Sequence, residues 1–70
     1  MDRNLIREII EDSILADNPG ATLIKAAYAK VEMKCTKGAD WEFCCMDMEN
    51  KDYNVIYIKE GNTITYGYRK

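Results

Sequence analysis

Residues 53–68 read YNVIYIKEGNTITYGY and hold four of the chain's five tyrosines. Two alternating runs flank Gly61–Asn62, and glycine at the first central position suits the two-residue type II′ turn that joins antiparallel strands. Counting outward from that turn sets Tyr57 opposite Tyr66, Val55 opposite Tyr68, Ile56 opposite Gly67 and Ile58 opposite Thr65. One face of the hairpin is then aromatic and the other aliphatic. Which of them a helix covers decides what the rings do.

The helix is at the N-terminus. Leu5, Ile6, Ile9, Ile10, Ser13 and Ile14 recur at three- and four-residue steps, which predicts an amphipathic helix over residues 2–16. The DNPG run at 17–20 ends it, because proline cannot continue a helix and disfavours helical geometry in Asn18. From Ala29 the apolar period becomes two: Ala29, Val31, Met33 and Cys35 alternate with polar residues. Trp41, Phe43 and Cys45 alternate likewise after a loop at 37–39. A second hairpin follows, with Cys35 opposite Trp41, Met33 opposite Phe43, Val31 opposite Cys45, and Lys34 opposite Glu42. MENKD at 48–52 reads as the next loop. Asn18 and Pro19 also make a good helix start, so a second short helix at about 19–30 is the alternative to an irregular strand there. The expected fold is one α+β domain over residues 1–70, its N-terminal amphipathic helix packed on a three- or four-stranded antiparallel meander.

Isoleucines pack under a helix more easily than tyrosines, whose hydroxyls need partners when buried. The expectation is therefore Ile56 and Ile58 inward with Val31, Met33, Trp41 and Phe43, beneath Leu5, Ile6, Ile9, Ile10 and Ile14. Gly67 would lie under the helix, where a missing side chain permits close approach. Four strands span about 19 Å at the usual spacing, and one helix about 10 Å across leaves half of one face and all of the other open. The open face would carry Val55, Tyr57, Tyr66, Tyr68 and Met46, with Lys34 and Glu42 beside them. Two alternatives stand beside it: cross-strand tyrosine pairs stabilise hairpins whatever they bind, and an inverted sheet would put the rings in the core.

Composition narrows the function. Apolar residues at 47% with 31% charged argue for a globular chain rather than a disordered one. MDRNLIREII has neither the basic start nor the apolar run of a secretory signal, so neither membrane insertion nor export is expected. Three cysteines, Cys35, Cys44 and Cys45, are an odd number, which reads as thiols in a reducing cytosol and predicts a cytoplasmic protein. Without histidine and with a lone Ser13, the usual general base and nucleophile pairs are missing. No metal or cofactor is expected: the cysteine spacing does not suit zinc, and Asp47, Glu49 and Asp52 miss the calcium-loop pattern.

The remaining reading is a non-enzymatic protein-binding module. In size and acidic composition the chain resembles the small inhibitors that phages and mobile elements deploy against host defence nucleases, anti-CRISPR proteins among them. That resemblance implies antagonism of a larger protein partner. The binding set would be Val55, Tyr57, Tyr66, Tyr68, Met46, Lys34 and Glu42, with Asp47, Glu49 and Asp52 as acidic contacts or phosphate mimics. One alternative is a single-stranded nucleic-acid binder, stacking bases on Tyr57, Tyr66 and Tyr68 with Lys30, Lys34, Arg69 and Lys70 along the backbone. The net charge of −2 weighs against it. The other is a homodimer in which two ring faces pack together.

Overall fold

The computed structural model describes residues 2–36, 44–50 and 52–69. Its elements follow in the order α1 (Arg3–Asp17), β1 (Thr22–Lys25), α2 (Tyr28–Thr36), β2 (Cys44–Asn50), β3 (Tyr53–Glu60) and β4 (Thr63–Arg69). The strands form one sheet in the order β1-β4-β3-β2. The expected α+β class and the antiparallel meander hold for β2, β3 and β4. β1 adds a parallel edge, pairing Leu23 with Ile64 and Lys25 with Tyr66, so the sheet is mixed.

Two elements form as expected. α1 begins at Asp2, whose Oδ1 accepts the Asn4 N–H at 3.0 Å and satisfies one of the orphan donors of the first turn. It ends at Asn18, whose N–H donates to the Ile14 and Leu15 carbonyls. The β3–β4 register is the expected one, Tyr57 with Tyr66 and Ile56 with Gly67. Gly61 carries φ +60° while, among the described residues, no non-glycine has positive φ, which fits the II′ turn.

Residues 28–36 are the main correction: they form α2, not a strand. Ala29, Lys30, Glu32, Met33 and Lys34 are strong helix formers. Tyr28, Val31 and Cys35 also fall at three- and four-residue steps, so the same letters satisfy a helical period. Met33, expected inside, is 55% exposed. The alternative helix at 19–30 is displaced as well: β1 occupies 22–25 and the second helix starts at Tyr28. Residues 31–35 lie in this helix and supply no strand for the expected hairpin with 41–45, of which Trp41, Glu42 and Phe43 lie outside the described residues. Residues 48–50 of the loop expected at 48–52 belong instead to β2, which pairs with β3 as far as Asn50 with Tyr53.

A disulfide joins Cys35 at the end of α2 to Cys45 on β2, with Cα atoms 5.8 Å apart. The odd cysteine count therefore does not mean free thiols throughout, and the argument from it to a reducing compartment loses its basis. Among the described residues no helix is long and apolar enough to cross a membrane.

The helices lie on opposite faces of the sheet. Ile6, Ile10 and Ile14 of α1 bury against Val55, Tyr57, Ile64 and Tyr66. Val31 of α2 buries against Ile56 and Ile58, which alternate with those residues along β3. Gly67 lies under a helix as expected, but the helix is α2: a Cβ at Gly67 would stand 2.7 Å from Tyr28 Cα. Leu5 and Ile9, also expected inside, are 47% and 44% exposed.

Candidate functional site

The ring face is internal, which overturns the orientation on which the expected docking face depended. Val55, Tyr57 and Tyr66 are 2%, 6% and 0% exposed, and Tyr68 and Met46 are half-buried against the α1 cluster. The physical reason is a hydrogen bond that crosses from helix to sheet. The Tyr66 hydroxyl donates to Glu11 Oε1 at 2.6 Å, and Arg7 Nε lies 3.4 Å from the same oxygen. A phenol whose oxygen is met by a carboxylate can be buried. Burial, and then the Glu11 hydrogen bond and charge, push the Tyr66 phenol well above its ordinary pKa. Tyr53 and Tyr68 close the end of this face edge-to-face at 5.9 Å, with Lys25 Nζ 5.2 Å above the Tyr68 ring.

The other expected contacts do not join one patch. Lys34 is on α2, across the sheet from the rings, where it pairs with Glu60 at 3.5 Å. Asp47 is exposed on β2 and pairs in register with Ile56, which turns it to the α2 side. Glu49 is on β2 opposite Asn54, and Asp52 is exposed in the turn before β3. Glu42 lies outside the described residues. The stacking platform of the nucleic-acid alternative is likewise missing, since Tyr57 and Tyr66 present no open ring face. Arg69 stacks on Tyr28 at 4.7 Å instead of flanking the other rings, and Lys70 is outside the described residues. A homodimer built on the ring face would have to displace α1.

Among the described residues the fold leaves open a margin around β1. This strand is, among those residues, one of the two edges of the sheet, β2 being the other, and Thr22, Ile24 and Lys25 are exposed. Beside it runs a groove of about 180 Å³ between α2 and the sheet, lined by Ala26, Lys30, Val31, Lys34 and Thr65. Ile24 pairs with Thr65 in register and so borders the groove on the same face; it is 49% exposed. Lys30 and Lys34, one helical turn apart, form the wall. A second cleft of about 210 Å³ lies at the start of α2, lined by Tyr28, Asp47, Met48, Asn54 and Val55. Among the described residues no cluster of three or more histidine, cysteine or acidic side chains could hold a metal ion.

Sequence reasoning missed this margin because it placed residues 29–36 in the sheet. The signal was present in the charge pattern, since residues 21–37 are the one long net-basic block of the chain. Comparison with protein-family models, with curated proteins and with solved structures finds no match to this chain.

Proposed function

We propose that the chain is a non-enzymatic protein-binding module, acting as a small antagonist of a larger partner, which docks through the β1 margin rather than through the tyrosine face. The observation that supports this reading is the juxtaposition of an outermost strand, a half-exposed Ile24 and a lysine-walled groove. Apolar side chains rimmed by charge are the usual make-up of a docking surface. The antagonist role, and its anti-defence form in particular, rests on the resemblance in size and composition alone. A cytoplasmic location belongs to the same proposal, and the disulfide weighs against it, because cytosolic thiols are normally kept reduced. Thiol titration of protein taken directly from its native source addresses that part.

The test is affinity capture from native extract with wild type and Ile24→Glu side by side, followed by titration calorimetry with the purified captured protein. The reading predicts one interactor that binds wild type at least ten-fold more tightly than the variant. Equal binding to both, or no interactor, contradicts it. Tyr57→Ala and Tyr66→Ala are not binding tests here, because both truncate the core.

A further inference from the structure

We infer that the open side of β1 takes up an extended acidic segment of the partner as a fifth strand; this rests on the protein-binding reading above and specifies what binds. The main-chain hydrogen bonds fix which groups are on offer. Thr22 N–H donates to the Asn62 carbonyl at 2.9 Å and Ala26 N–H to the Tyr66 carbonyl at 2.8 Å, both toward β4. Main-chain groups alternate sides along a strand, so Ile24 also addresses β4, while Leu23 and Lys25 turn their N–H and C=O groups away from the sheet. Two residues with outward donors and acceptors are a template for strand addition.

Charge selects the occupant. Lys25 flanks this edge on the α1 side, with its ammonium over Tyr68, and Lys30 and Lys34 flank it on the α2 side, where Glu60 offsets part of the charge at Lys34. An added strand directs alternate side chains to the two faces, so acidic residues on either face meet a lysine and basic ones are repelled. Ile24 offers an apolar contact to one side chain on the α2 face. A second copy of this chain is the poorer occupant. Pairing β1 with itself about a two-fold axis would bring Lys25, Lys30 and Lys34 of both chains to one seam.

The probe is a library of ten-residue peptides with Glu or Asp at alternate positions and Val, Ile, Thr or Tyr between, beside the same library with Lys in place of the acids. Both are titrated into the intact, disulfide-bonded chain while amide shifts and hydrogen exchange are followed by NMR. The inference expects the acidic library to bind at least ten-fold more tightly than the basic one, with exchange slowed at Leu23 and Lys25. Lys25→Pro removes one outward donor and leaves the bonds to β4 intact, and it should abolish binding. Should that variant fail to fold, Lys25→Glu/Lys30→Glu should instead reverse the preference between libraries. No binding, equal binding of both libraries, or protection without peptide in a dimeric species overturns the inference; in the first case the lysines only guard an exposed edge. A partner that is captured from extract, depends on Ile24 and leaves Leu23 and Lys25 exchange unchanged would sink strand addition while sparing the protein-binding reading.

Discussion

The two faces of one sheet are closed in different ways. On the ring face α1 lays Ile6, Ile10 and Ile14 at four-residue steps onto Val55, Tyr57, Ile64 and Tyr66, a broad apolar contact joined by the Tyr66–Glu11 hydrogen bond and, at the helix C-cap, by Lys59 donating to Asn18. On the opposite face α2 buries a single fully enclosed side chain, Val31, and is held as well by the Cys35–Cys45 bridge and by close approach over Gly67. Area holds the first helix, whereas a covalent bond and one missing side chain hold the second. The comparison teaches that a chain of 70 residues can cover both sides of its sheet with only 15 and 9 residues of helix. Docking surface is then left at the margins, and β1 is one of them.

Breaking the area-held side should have the largest effect. Ile10→Ala or Ile14→Ala leaves a cavity costing about 2–5 kcal/mol, comparable to the whole stability of a domain this small. Thermal melts by circular dichroism should show a large loss or no cooperative transition. Removing the bridge comes next: a disulfide closing a loop of this length contributes about 3 kcal/mol. Cys35→Ser/Cys45→Ser should lower the melting temperature and speed amide exchange first in residues 28–36, with α1 still protected. Equal loss across both helices would erase the difference between the faces.

Gly67→Ala should cost about 1–3 kcal/mol, because the new methyl meets the Tyr28 backbone rather than a movable side chain. Its exchange signature should match that of the bridge variant, and a silent substitution would mean that α2 does not sit over Gly67. Smallest is Tyr66→Phe, at about 1 kcal/mol for one hydrogen bond to a partly exposed carboxylate. This variant also sharpens the pH dependence. The folded Tyr66 holds its proton above the ordinary tyrosine pKa of about 10, whereas the unfolded chain releases it there, so wild-type stability should fall as pH rises beyond that value. The phenylalanine variant should lose that part of the alkaline slope in urea titrations across the range.

The sequence is readable where structure is local. The β3–β4 hairpin follows from Gly61–Asn62 and the alternation beside it, and α1 from an isoleucine period bounded by Asp2 and Asn18. Residues 21–36 are not readable in that way, because the letters from Tyr28 onward fit a strand period and a helical one alike. What decides between them lies elsewhere in the chain, in the vacancy at Gly67 and in the bridge to Cys45. The orientation of the rings fails for a related reason. A tyrosine was expected to avoid the helix unless its hydroxyl had a partner, and that partner is Glu11, a residue that periodicity assigns to the polar side of α1. Of the expected binding residues, the ones most legible as a pattern, Val55, Tyr57 and Tyr66, belong to the core. Lys34 is the one that also borders the β1 groove.

The most direct test of the account is a nuclear Overhauser experiment on the folded, oxidised chain, reading contacts from the Tyr57 and Tyr66 ring protons. Cross-peaks to the Ile6, Ile10 and Ile14 methyls, with the Ile56 and Ile58 methyls connected to Val31 instead, are the predicted result. Contacts from the α1 methyls to Ile56 and Ile58, with the rings open to solvent, would contradict it and return the tyrosine face to the surface.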